Sequence, residues 1–223
     1  EKYGPSNYAI YMNKDYGNVK GYTFSFTKRY DPVSRTSAFV DYTYQVTEGN
    51  SVNSGSFYYN ALSGEQEEKR IVPLAWDQRH ILNTNLSIGD PRNWNMGIIS
   101  KLSSGWPYTP NIPNANYVPQ PNSGRKPWQW RIDMRVHKNF KIRSFNYLFF
   151  MKIYNLLDRR NERYVFNDTG RAGYTYVYQS TQETQGFKNH YGETGVHEWS
   201  EYQIRPQYYT SPRSINIGFS LDF

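Results

Sequence analysis

The last ten residues, Ser214-Ile-Asn-Ile-Gly-Phe-Ser-Leu-Asp-Phe223, alternate without a break. Ile215, Ile217, Phe219, Leu221 and Phe223 fall on odd positions; Ser214, Asn216, Gly218, Ser220 and Asp222 fall on even ones. Successive side chains of a strand point to opposite faces, so this period of two predicts a β-strand with one apolar and one polar face. About 9–11 residues is the length a tilted strand needs to cross a bilayer.

The same pattern recurs along the chain. Trp128, Trp130, Ile132, Met134 and Val136 alternate with Gln129, Arg131, Asp133, Arg135 and His137. Tyr22, Phe24 and Phe26 alternate with Thr23, Ser25 and Thr27, and Ala38, Val40, Tyr42 and Tyr44 with Phe39, Asp41, Thr43 and Gln45. Leu82, Leu86 and Ile88 share a face with Thr84, opposite Asn83, Asn85 and Ser87. Trp94, Met96, Ile98 and Leu102 form another apolar face, against Asn95, Gly97, Lys101 and Ser103. In the segment from Tyr147 to Ile153, Phe149 and Met151 join the apolar face opposite Asn146 and Lys152, while Leu148 and Phe150 interrupt the polar one. A weaker first strand is expected near Tyr8–Asn13, giving eight strands and no helical periodicity.

The connections between these strands differ in length. Tyr30–Arg35, Asp90–Asn93 and Asn139–Ser144 read as short turns, rich in Asp, Asn, Pro and Ser. Polar stretches at about 48–76, 106–126 and 156–208 read as long loops, and only the link at Lys14–Asn18 is short on that side. Short turns at one end and long loops at the other are the asymmetry of outer-membrane barrels. Aromatics cluster at strand ends: Phe223, Phe140, Phe145 and Trp94 toward the short turns, Trp128, Tyr44, Tyr154 and Trp76 toward the long loops. Two such girdles, one at each lipid interface, are expected of a barrel.

Composition sharpens this reading. Aromatics make up 18% of the 223 residues, yet hydrophobic residues total only 37%, and the mean hydropathy is −0.86. A soluble core would draw on more aliphatic residues, and a disordered chain would hold fewer aromatics. No apolar run approaches the length of a transmembrane helix, whereas the strands of a transmembrane barrel alternate and average out as polar. The chain has no cysteine, which excludes disulfide scaffolds, Cys-ligated zinc and thiol catalysis. It starts without Met or a signal peptide, so a mature chain or a fragment is expected.

Several motifs resemble the barrels of TonB-dependent outer-membrane receptors. They are Gly17-Asn-Val-Lys-Gly21, Trp76-Asp-Gln-Arg-His80 followed by Leu82-Asn-Thr-Asn-Leu86, Ser104-Gly-Trp-Pro-Tyr-Thr-Pro110, and Tyr154-Asn-Leu-Leu-Asp158. The terminal Asn216, Gly218, Leu221 and Phe223 resemble the β-signal read by the barrel-assembly machinery. The set spans nearly the whole chain in the order that family shows. The resemblance implies an antiparallel transmembrane β-barrel of about 22 strands filled by a plug, of which this chain supplies about eight as its C-terminal part. It also implies a Gram-negative outer membrane, contact with lipid, with the rest of the receptor and with the TonB complex, and energised import of a scarce ligand. That ligand would be a metal chelate, cobalamin, a glycan or a peptide. A complete eight-stranded adhesin or structural barrel is the alternative.

Charge and candidate chemistry add less. The net charge is +7, but Lys28, Arg29, Arg35, Arg92, Lys138, Lys141 and Arg143 gather near the short turns, which is not the contiguous basic face of a nucleic-acid binder. Lys101, Arg131, Asp133, Arg135, His137 and Lys152 are expected to face the lumen. They would serve either as a salt-bridge ladder between strands or against the plug, or in contact with water or a passing solute. Trp106, Tyr108, Tyr174, Tyr176 and Trp199 are the loop aromatics placed to meet a ligand, with Tyr117, Tyr178 and Tyr202 beside them, since rigid amphipathic rings bind at low entropic cost. His190, Glu193, His197 and Glu198 share a loop, but the spacing of the two histidines fits no standard ligand pair, and no metal is expected. Glu65, Glu67 and Glu68 read as a charged loop tip. No phosphate-binding loop or nucleophile elbow is present, so neither catalytic residues nor a cofactor are expected.

Overall fold

The computed structural model describes residues 16–50, 70–112, 119–143, 145–176 and 205–222. Its strands are β1 (Gly17–Asp31), β2 (Thr36–Gly49), β3 (Val72–Pro73), β4 (His80–Asp90), β5 (Trp94–Ser103), β6 (Pro107–Tyr108), β7 (Gly124–Arg125), β8 (Gln129–Ile142), β9 (Phe145–Tyr154) and β10 (Ser214–Asp222). The main sheet runs β1-β2-β4-β5-β8-β9-β10, with β3 added to β2 and β6–β7 forming a separate small pair. Every pairing is antiparallel. The protein is all-β, and its main sheet is open, because β1 bonds only to β2 and β10 only to β9 among the described residues. The strand expected at Tyr8–Asn13 lies outside those residues. Gly17 and Asn18, expected in a link, already belong to β1.

The register carries the sequence alternation across the whole sheet. One row of opposed residues runs Lys28, Ala38, Leu86, Ile98, Met134, Ile153 and Ile215. A neighbouring row on the other face runs Ser37, Ser87, Gly97, Arg135, Lys152 and Asn216. A slip of one residue in any strand would exchange its faces, so the apolar pattern fixes the register. The first row leaves β1 close to its turn end and reaches β10 close to its other end. The strands are therefore staggered, as they must be when a sheet curls with its strands tilted.

The short connections 32–35, 91–93 and 143–144 all lie at one end of the sheet, and the long ones, 50–79, 104–128 and 155–213, all lie at the other. The turn chemistry is local. Asp31 accepts from the backbone N–H groups of Val33 (3.1 Å) and Ser34 (3.0 Å), and Arg35 takes a left-handed φ of 51° as its N–H returns to Asp31 O at 2.7 Å. Asp90 repeats the device, accepting from Arg92 N–H at 2.9 Å. The apolar face is uncovered by any second layer among the described residues, with Phe24, Ile217 and Phe219 at 65%, 66% and 59% exposure. Most burial lies instead at the long-connection end, around Val72, Leu74, Val165 and Ala172.

Aromatic rings mark both margins of the apolar face. At the long-connection end Tyr22, Tyr44, His80 and Trp128 follow one another at centroid separations of 5.4, 5.1 and 5.5 Å, and the Tyr42 hydroxyl meets His80 Nδ1 at 2.9 Å. At the turn end Phe140 stacks on Tyr147 at 5.3 Å, and Tyr147 meets Phe219 at 5.6 Å. One expected member departs: Tyr154 lies in register with the polar positions of β9 and sits under the Arg131 guanidinium, 5.9 Å from ring centroid to Cζ. Its odd–even parity, not its closeness to the strand end, decides its face.

Candidate functional site: the polar face and the loop-end cap

Two constellations are candidates, the polar face of the sheet and the cap built from the long connections. On the polar face, β5, β8 and β9 bring the charged residues together. Lys101 lies opposite Arg131, and Arg135 lies opposite both Gly97 and Lys152. Asp133 Oδ1 accepts from Arg131 Nε at 2.8 Å and from the Asn155 backbone N–H, also at 2.8 Å. It therefore anchors the turn after β9 as well as one guanidinium. His137 lies near the turn end, where Nε2 is 3.4 Å from Pro91 O. Lys152 Nζ lies 5.3 Å over the Phe150 ring, and that ring in turn covers Gly218, where an added Cβ would fall 2.2 Å from Phe150 Cζ. Of the expected assembly-signal residues, Asn216, Gly218 and Leu221 are in β10, with Asn216 opposite Lys152 and Leu221 opposite Tyr147. Phe223 lies outside the described residues.

The cap is organised around Asp77, which the sequence marked only as part of the Trp76–His80 motif, and around Arg125, which it did not single out. Asp77 is fully buried. Its carboxylate accepts from the Thr47 backbone N–H at 2.8 Å and from Arg79 Nε at 3.3 Å, and it pairs with Arg125. Arg125 also donates to Asp77 O, which ties the β6–β7 pair to the segment between β3 and β4. Gln78 Nε2 donates to Ser104 O at 2.9 Å, and Ser104 Oγ accepts from His80 N–H at 3.0 Å. The Trp76–His80 motif thus forms a buried joint between neighbouring connections. Gly105 is required there because an added Cβ would fall 1.7 Å from Lys126 O.

Two asparagines do similar work on the other side. Asn161 brackets Trp130, its Oδ1 accepting from Trp130 N–H and its Nδ2 donating to Trp130 O, both at 2.9 Å. Asn155, at a left-handed φ of 54°, donates to Arg159 O and Ser211 O, each at 3.1 Å. Their signal in the sequence was Asn in a turn-like setting, which marks backbone-pairing side chains without saying which backbone they pair.

The expected ligand-facing aromatics separate into two groups. Trp106, Tyr174 and Tyr176 are exposed on the cap, and Tyr174 and Tyr176 meet edge to face at 5.7 Å. Tyr108 is tucked in. Its ring lies against Gly124 and Gly170, where added Cβ atoms would fall 2.5 Å and 2.3 Å from ring and hydroxyl atoms. Burial, and then the Asp168 charge, push its phenol pKa up. Burial also lowers the pKa of Lys126, whose Nζ donates to Arg163 O at 3.1 Å. Arg171 pairs with Glu162, donating from Nη2 to Oε1 at 2.7 Å and from Nε to Oε1 at 3.0 Å and to Oε2 at 3.3 Å, which closes the 162–172 loop and raises the arginine pKa. Trp199, Tyr117, Tyr178, Tyr202, the 190–198 histidines and glutamates, and Glu65, Glu67 and Glu68 lie outside the described residues. No cluster of three potential metal ligands occurs among the described residues. No helix of the described chain is long and apolar enough to cross a membrane, a test that does not bear on strands.

Together these features define an all-β protein whose open, staggered antiparallel sheet has one apolar and one polar face. No family model, curated protein or solved structure matches the chain.

Proposed function

We propose that the chain is the C-terminal part of the barrel wall of a TonB-dependent outer-membrane receptor, which imports a scarce ligand through a plugged lumen. The observation that carries this reading is the uncovered apolar face, continuous over seven paired strands and margined by rings at both ends. Its height fits a bilayer. From Trp130 to Phe140 the outward face of β8 spans roughly 33 Å along the strand at ~3.3 Å per residue. At the ~35–45° tilt of outer-membrane barrels this becomes about 25 Å, the height of their apolar band. Lipid, in place of a second protein layer, covers that face.

The open edges fit the same reading. Unpaired backbone groups in hydrocarbon cost several kcal/mol each, so β1 and β10 pair with further strands of the same receptor. The plug fills the lumen against the polar face. The long connections face the cell exterior with Trp106, Tyr174 and Tyr176, and the barrel-assembly machinery inserts the chain through β10. Fractionation of the native host tests this. The full-length protein is expected in the outer membrane, with a mass well above that of 223 residues and with heat-modifiable migration. Recovery in a soluble fraction contradicts the reading.

A further inference from the structure

On the polar face, a single register row places Ser87, Gly97, Arg135, Lys152 and Asn216 side by side across five strands. Arg135 and Lys152 are directly opposed, so their Cβ atoms lie about 4.5–5.5 Å apart, and like charges so placed repel. The nearby carboxylate on β8, Asp133, is committed to Arg131 and to the Asn155 N–H. Neither Arg135 nor Lys152 forms an ion pair among the described residues, where the strand-face ion pair is the one between Arg131 and Asp133. The flank of Arg135 is empty, because Gly97 stands opposite it and a Cβ added there would meet nothing within 4 Å. The far flank carries Asn216, a neutral donor. A planar guanidinium, an ammonium and an amide along one row, with open space beside them, match an oxyanion's need for a bidentate fork and a point charge.

We infer that Arg135 and Lys152 form a binding site for the carboxylate or phosphate group of a small solute on the lumen face, with Asn216 as a third donor. The inference rests on the proposed function only in taking this face to line the lumen. Binding offsets the repulsion between the two cations, so the site is set up by an arrangement that is unfavourable without its ligand. Lys101, opposite Arg131 and four residues along β8 from the pair, extends the positive strip toward the long connections.

The test uses the full-length protein in detergent micelles, with inorganic phosphate and succinate as probes at constant ionic strength. Both probes are expected to raise the melting temperature of the wild type. Arg135→Gln and Lys152→Gln, each made separately, should weaken the response about tenfold, the loss expected for one charge-assisted contact. Arg92→Gln, which removes the same charge at a turn, should leave it unchanged. Without probe, Arg135→Gln should melt at the wild-type temperature or above it, because repulsion is relieved. Undiminished probe binding by both single variants overturns the inference. So does a lower melting temperature of Arg135→Gln without probe, which would mean that a carboxylate of the polypeptide already neutralises the pair. Insertion of the same samples into vesicles is scored separately, so a protein that inserts but ignores both probes loses the anion site and not the barrel reading.

Discussion

Asp77 is fully buried, yet three donors converge on its carboxylate: the Thr47 backbone N–H of β2, Arg79 two residues on, and Arg125 of β7. Removing one partner of a buried ion pair costs about 3–5 kcal/mol, because the other charge is left without compensation. Arg79 and Arg125 are each about a third exposed, at 36% and 31%, so water compensates in part and the lower end of that range applies. Asp77→Ala is expected to destabilise the loop end by about 3 kcal/mol, read as a lower urea midpoint by tryptophan fluorescence. A change under about 0.5 kcal/mol, typical of ordinary surface positions, would remove Asp77 from its structural role. Gly218 offers a paired test. Gly218→Ala drives a Cβ into the Phe150 ring and should impair folding, whereas Phe150→Ala in the same chain should restore it. An equal defect in the double variant would mean that Gly218 matters for its backbone alone. The sequence showed Asp77 and Asn155 only as members of motifs and Asn161 only as part of a long polar loop, because Thr47, Ser211 and Trp130, with which they pair, lie 30 or more residues away.

The strands themselves were legible because a period of two requires no knowledge of the partner strand. The alternation alone sorted the faces correctly, down to Thr84 on the apolar side and Phe39 and Phe150 on the polar side. Bounds were less legible: the expected segment from Tyr22 to Thr27 is the middle of a 15-residue strand. The ends of such strands carry Gly, Lys and Asp, whose pairing comes from the backbone and not from a face. The facing of β10 yields a direct expectation. Ile217→Arg, at an outward and 66% exposed site, should cost about 2–4 kcal/mol if that site lies near the bilayer midplane. Asn216→Arg, one residue away on the inward face, should cost well under about 1 kcal/mol by comparison with lumen substitutions. Unfolding from lipid vesicles measures both, and equal costs would refute the assignment of faces.

Among the described residues, the sheet has a hydrophobic side with no protein over it and two edges with unused backbone groups. Both features fit one environment, in which lipid covers the face and further strands close the edges. Under the proposed function, the turn-end cluster of Lys28, Arg35, Arg92 and Lys138 would lie at the periplasmic margin, and the cap with its exposed Trp106, Tyr174 and Tyr176 at the outer one. For the proposed receptor the ligand was not legible, since no motif of the sequence selects among a metal chelate, cobalamin, a glycan and a peptide. The most direct measurement uses the absence of cysteine from these 223 residues, with any cysteine elsewhere in the full-length protein replaced by Ser. Single cysteines placed in turn from Ile215 to Leu221 in the full-length protein, spin-labelled and reconstituted in lipid, report each site's access to oxygen and to a water-soluble nickel chelate. High oxygen access at 215, 217, 219 and 221, with high chelate access at 216, 218 and 220, is the expected result. Chelate access at every position, with no period of two, would contradict a lipid-facing sheet.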